Sequence, residues 1–125
     1  QLNVRTAVNA SKAALAHFPV SGGRIVSVGA ASAVKAAAGL GAYTASKSGV
    51  ARFTEALAEE MKSRNITVNA VLPSIIDTAP NRADMPDEDF SKWVTPQALA
   101  EVILFLLSDR AEAVTGALIP VTGRV

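Results

Sequence analysis

Two short apolar runs separated by a long stretch of helical periodicity limit this chain more than any other feature of its sequence. Gly22-Gly23 feeds Arg24-Ile25-Val26-Ser27-Val28, and Ile66-Thr67-Val68-Asn69-Ala70-Val71-Leu72 is a second, β-branched run. Each has the length and composition of a buried strand. Between them Val50, Phe53, Leu57 and Met61 recur at near-helical spacing, while Arg52, Glu55, Glu59 and Lys62 are polar, which predicts a helix from Tyr43 to about Arg64. Strand, loop, helix and strand in that order make a βαβ unit, in which functional groups gather at the carboxyl ends of the strands.

The flanking sequence extends the same pattern. A first helix is expected from about Asn3 to His17, stopped by Pro19. His17, the single histidine, falls at that helix end, where a cation interacts well with the helix dipole, and is read as a surface residue. Thr95-Pro96 reads as N-cap and first-turn proline of a helix whose apolar side is Leu99, Val102, Ile103, Leu106 and Leu107. A last strand, Ala117 to Val121, contains Pro120 and so belongs at a sheet edge. The chain is therefore expected to be α/β, with a parallel three-stranded sheet and flanking helices.

Composition bounds the function classes. A chain of 125 residues buries roughly two thirds of its unfolded surface, but is shorter than a complete doubly wound domain. The net charge of +1, with both signs interspersed, gives no reason to expect nucleic acid or an anionic membrane. With no cysteine there are no disulfides or thiolate metal sites, which suits a cytoplasmic setting, and no metal site is expected. No apolar run is long enough to span a bilayer. The chain opens inside a helix-like segment without methionine, which predicts an upstream portion.

Tyr43 and Lys47 stand one helical turn apart at the start of the central helix. A free tyrosine titrates near ~10, and a fixed ammonium beside it favours the phenolate and lowers that value. Such a tyrosine can trade protons with an alcohol or carbonyl. The pair alone is more often the mark of a half-buried tyrosine next to a solvated lysine. Its position at a strand's carboxyl end, together with Pro73-Ser74-Ile75-Ile76-Asp77-Thr78 leaving the next strand, gives it chemical context.

In this order the segments resemble the second half of the short-chain dehydrogenase/reductase family, from Asn3 to Gly123, the carboxyl-terminal half of a doubly wound, Rossmann-like fold. The resemblance implies that Tyr43 is the acid/base tyrosine and that Lys47 lowers its pKa and binds the nicotinamide ribose. It implies that Asn3 supports a water in the proton relay. It also places Pro73, Ile76 and Thr78 at the nicotinamide carboxamide, and implies NADH or NADPH as cofactor, with the preference set outside this chain. In the family's oligomers the equivalent of the Tyr43 helix pairs across a four-helix interface. The small residues Ala45, Gly49 and Ala56 are thus read as a homodimer or homotetramer contact, or as plain helix packing on the sheet.

Two departures shape the functional expectation. The family's serine, thirteen residues before the tyrosine, is Ala30 here; Ser27 should point to the opposite face of its strand, and Ser32 in the following loop is the other hydroxyl that could replace it. The glycine-rich phosphate turn of the family's first βα unit is not in this sequence, and Gly39-Leu40-Gly41 reads as a turn before the catalytic helix. A small residue at the serine position, and the run from Val71-Leu72-Pro73 through Asp77-Thr78, Asn81-Arg82, Met85-Pro86 and Trp93-Val94-Thr95-Pro96, resemble the dihydropteridine reductase-like branch. A quinonoid pterin has less need of a serine donor for a developing oxyanion.

Residues 79–94 are expected to form a substrate lid, with Met85, Phe90 and Trp93 as apolar surface, or else a short surface helix anchored by Trp93. Ala30, Ser32 and Trp93 are thus the substrate-side candidates. Two rivals remain: a ketone or 3-oxoacyl reductase using Ser32, and a non-catalytic fold remnant that buries its exposed sheet edge in an oligomer.

Overall fold

The computed structural model describes residues 2–31, 39 and 41–125, and within these the side chains of Leu2, Tyr43, Thr44, Ser46 and Lys47 lie outside the description. Helix α1 (Leu2–Leu15) leads through a turn at His17 to β1 (Gly23–Val28). Helix α2 (Gly41–Met61) continues as a 3-10 turn, Lys62–Arg64, into β2 (Ile66–Pro73). A short helix α3 (Ala79–Asp84), a second 3-10 turn (Phe90–Lys92), helix α4 (Pro96–Leu107) and β3 (Leu118–Val121) complete the chain.

The three strands form one parallel sheet in the order β1-β2-β3, with Gly23 opposite Ile66 and Ala70 opposite Leu118. Every residue of the central strand β2 is buried, as a parallel strand covered on both faces requires. Alternation then divides the core. Ile25, Ile66 and Val68 pack with Leu57 and Ala58 under α2, while Val26, Val71 and Ile119 pack with Leu99 and Leu106 of α4. Pro120 lies exposed on the edge strand β3, paired with Leu72, where its missing N–H costs no interior ladder bond.

Helix boundaries follow local chemistry. Thr95 Oγ1 accepts from the Ala98 N–H at 3.1 Å and Pro96 occupies the first turn, so α4 starts where the sequence marks it. The helix expected to run to Arg64 tightens at Lys62 because Asn65 adopts a left-handed conformation (φ 56°), with its N–H on the Lys62 carbonyl. Asn65 Nδ2 also donates to the Ser21 carbonyl at 2.8 Å, fastening the turn before β1 to the turn before β2. Gly22, at φ 113°, sits directly on the Asn65 carbonyl, so a Cβ there has no room. Gly22→Ala is expected to destabilise the fold by about 1–3 kcal/mol, read as a lower urea midpoint, and an unchanged midpoint would contradict this packing.

Candidate active site

The carboxyl ends of β1 and β2 and the start of α2 lie at one end of the sheet. At the end of β1 the Gly29 N–H donates to the Val71 carbonyl at 2.8 Å, and a Cβ on Gly29 would lie 2.7 Å from Leu72 Cδ2. Ala30 follows, half-buried, at the position where the sequence lacks a serine. Ser27 lies back along the strand, lining a cavity with Ala10 and Ser11 of α1. Ser32, the alternative donor, is outside the described residues.

Tyr43 and Lys47 occupy the first two turns of an unbroken α2, with their backbones one turn apart along its axis. Asn3 lies in the first turn of α1 and is exposed. The two helices pack closely: a Cβ on Gly49 would come within 2.8 Å of Val4 Cγ2. That contact sets the opening turn of α1 against the third turn of α2. It also divides the small-residue stripe, because Gly49 is used within the chain while Ala45 and Ala56 are exposed.

Beyond β2 the loop is firmly built. Pro73 is buried, and Ser74 donates through its N–H to the Val121 carbonyl (3.3 Å) and through Oγ to the Thr122 carbonyl (2.9 Å). Ile76 forms a parallel bridge with Val94: the Val94 N–H reaches the Ile75 carbonyl at 2.9 Å, and the Asp77 N–H reaches the Val94 carbonyl at 2.7 Å. In such a bridge the N–H and carbonyl of Ile76 itself point away from the partner. Asn81 Nδ2 donates to that carbonyl at 2.8 Å, and among the described residues no acceptor lies on the Ile76 N–H. A carboxamide oxygen fits such a donor. Thr78 Oγ1 caps α3 through the Asn81 N–H at 3.4 Å.

Residues 79–94 are tied to the loop before them and to the chain end. Arg82 donates to both oxygens of Asp77, Nε to Oδ1 at 2.6 Å and Nη2 to Oδ2 at 2.8 Å. Hydrogen bonding from this guanidinium holds the Asp77 carboxyl below the usual carboxylate range and pushes Arg82 higher still. With its folded pKa depressed, Asp77 contributes its share at neutral pH and loses it only as pH falls through the lowered value. Asp89 caps the 3-10 turn through Ser91, which likewise lowers its pKa.

Trp93 is 5% exposed and packs against Phe90 in a tilted arrangement, ring centroids 4.7 Å apart and planes at 53°, so it anchors the segment, while Met85 and Phe90 are half-buried. Gly123 presses on the Lys92 carbonyl, which also accepts from the Arg124 N–H at 2.9 Å. Asn81, Arg82 and Gly123 carry no periodicity or motif that marks these roles in the sequence.

Other candidates fall elsewhere. A polar cleft of about 380 Å3, lined by Gly22, Arg24, Asn65 and Asp109 among others, lies at the opposite, amino ends of the strands. Among the described residues no three His, Asp or Glu side chains gather as a metal site, and no helix is long and apolar enough to cross a membrane. His17 is exposed in the turn after α1.

The backbone positions of Tyr43 and Lys47 in the first two turns of α2 and the Ile76 loop after β2 lie at the same end of the sheet. The sequence matches the family described as Enoyl-(Acyl carrier protein) reductase over residues 1–123, and the chain belongs to this group of short-chain dehydrogenases/reductases. It is 40% identical over 110 residues to the 3-oxoacyl-[acyl-carrier-protein] reductase FabG of Pseudomonas aeruginosa, covering 81% of this chain and 44% of that protein. It is 37% identical over 117 residues to carbonyl reductase family member 4 of Danio rerio, covering 90% and 48%. Among solved structures, the blue fluorescent protein from a metagenomic library in complex with NADPH superposes with a TM-score of 0.85 at 34% identity, over 97% of this chain and 52% of that one. The chain thus spans about half the length of the relatives it matches.

Proposed function

We propose that this chain is the nicotinamide-side half of an NAD(P)H-dependent reductase. The observation that carries this reading is the placement of Tyr43 and Lys47 at the opening of α2, at the same end of the sheet as the Ile76 loop. Ile76 and Thr78, on the loop after Pro73, hold the carboxamide. Lys47 holds the ribose and keeps the Tyr43 hydroxyl acidic enough to give up its proton. A bound nicotinamide supplies the hydride. Tyr43 then delivers its proton to the reduced substrate atom, and Asn3, at the adjacent end of α1, supports the water through which the tyrosine is reprotonated.

The acceptor we favour is a ketone or 3-oxoacyl group. Relatives named as 3-oxoacyl, acetoacetyl-CoA and carbonyl reductases support it. In this reading Ser32 supplies the hydrogen bond that Ala30 does not. Ala30 itself favours a second reading, a quinonoid pterin, whose charge on reduction is spread over a ring and needs no single donor. Residues 79–94 serve as the wall over the acceptor, with Trp93 supporting Phe90. A cytoplasmic setting fits a cysteine-free chain that uses a reduced nicotinamide.

Two expectations test the reading on the chain as it stands. Titration with NADH or NADPH, followed by fluorescence or calorimetry, should show weak binding or none. Nicotinamide-side contacts alone must offset the ordering cost without a pyrophosphate site. Micromolar affinity would contradict this division of the site.

The second expectation is self-association into a dimer or tetramer. β1 lies at a sheet edge with Val28 50% exposed, a cavity of about 410 Å3 runs between it, α1 and Leu107, and α2 leaves Ala45 and Ala56 uncovered. Light scattering that reports a stable monomer at micromolar concentration would overturn it.

A further inference from the structure

A guanidinium joins the two walls of the proposed site at the side-chain level, beside the backbone bridge between Ile76 and Val94. Arg82 places its Nε and Nη2 on Asp77, in the loop that carries Ile76 and Thr78, and its Cζ over the Phe90 ring, 4.6 Å from the centroid. Phe90 in turn packs on the buried Trp93. Asp77 is only 18% exposed at its side chain, so one end of the link is partly withdrawn from solvent. An exposed ion pair by itself contributes little. A planar fork that binds a carboxylate through two N–H groups while its charge lies over a ring fixes two partners at once, which a lysine cannot reproduce.

We propose that Arg82 is a positioning residue that couples the nicotinamide loop to the acceptor wall, so that order in one imposes order in the other. The inference rests on the reading of the site as a nicotinamide reductase, but the mechanical link can be measured without cofactor. The acceptor wall is then a preassembled surface: whatever steadies residues 76–78 also steadies Phe90. The chain of contacts Asp77, Arg82, Phe90, Trp93 carries the effect.

The test uses the 125-residue chain, in which Trp93 is the sole tryptophan and Glu88 is a cleavage site inside the acceptor wall. Trp93 emission and the rate of glutamate-specific cleavage after Glu88 are measured for the parent, Asp77→Asn, Arg82→Met and Arg82→Lys. Asp77→Asn is altered on one wall and read on the other. Expected results are a red shift of Trp93 emission and at least threefold faster cleavage at Glu88 in Asp77→Asn and Arg82→Met, with no further change when the two are combined. Arg82→Lys should recover only part of the parental behaviour. Cleavage after Glu55 and Glu59 in α2 should be unaffected. Unchanged emission and cleavage in Arg82→Met, or acceleration at all three sites together, would overturn the proposal.

Nicotinamide mononucleotide at millimolar concentration is then added, with amide shifts at Ile76 reporting its binding. It should slow Glu88 cleavage in the parent and lose that effect in Arg82→Met. Equal protection in both would overturn the coupling. Absence of any shift at Ile76 would instead count against the nicotinamide reading, leaving the link to be judged on cleavage and emission alone.

Discussion

Tyr43→Phe, in an enzyme where this chain is joined to an amino-terminal cofactor-binding half, should lower turnover by roughly two or more orders of magnitude with the fold intact. The substitution removes one hydroxyl and little volume, and loss of a positioned general acid costs about 10²–10⁴ in rate. Lys47→Ala should reduce both rate and cofactor affinity, because one ammonium serves the tyrosine and the ribose. Steady-state kinetics on a ketone and on a quinonoid pterin separate the acceptors. Ala30→Ser should raise ketone reduction and leave pterin reduction little changed, whereas ketone activity that disappears in Ser32→Ala would assign the donor to the loop serine. Full activity in Tyr43→Phe would remove the proposed mechanism altogether.

The second large effect is on stability. Asn69 is fully buried in the centre of the sheet and spends its amide on the connection to β3: Nδ2 donates to the Val114 carbonyl and Oδ1 accepts from the Ala117 N–H, each at 2.9 Å. Asn69→Leu keeps approximate size but strands two partly buried backbone groups, the Val114 carbonyl and the Ala117 N–H. A fully buried unsatisfied group costs about 1–3 kcal/mol and these two keep some access to water, so a loss of about 2–4 kcal/mol is expected, lowering the melting temperature by on the order of 10 °C. A loss below about 0.5 kcal/mol in equilibrium urea unfolding would show that the segment before β3 is held by something other than this side chain.

These two residues also mark what the sequence discloses and what it hides. β2 was legible because eight consecutive residues had to be buried on both faces, and burial of that kind leaves a continuous apolar run. Asn69 interrupts the run without breaking the strand because its partners come from residues far along the chain, at Val114 and Ala117, which no local pattern reveals. The start of α4 was legible for the opposite reason: a cap and a first-turn proline are local devices, and Thr95 and Pro96 act as their types require.

The expected helix to Arg64 overran by one 3-10 turn, since the left-handed Asn65 responds to the neighbouring Ser21–Gly22 turn more than to its own neighbours in sequence. In the candidate site, the Tyr43–Lys47 spacing could be read directly. The Asp77–Arg82 link could not, because a five-residue separation across a loop and a helix start matches neither helical nor strand periodicity. Trp93 could be read from its type as apolar surface of residues 79–94, whereas its packing on Phe90 comes from the fold of that segment.

In the proposed reductase the carboxyl ends of β1 and β2 receive the nicotinamide. Titration of the isotopically labelled chain with nicotinamide mononucleotide, followed by amide chemical shifts into the tens of millimolar, tests that claim without the rest of the enzyme. The account predicts saturable shifts concentrated at Ile76, Asp77 and Thr78 and at the opening turns of α2, with the Ile76 N–H moving most. Shifts confined to Gly22, Arg24 and Asn65 at the opposite end of the sheet, or none at all, would contradict it.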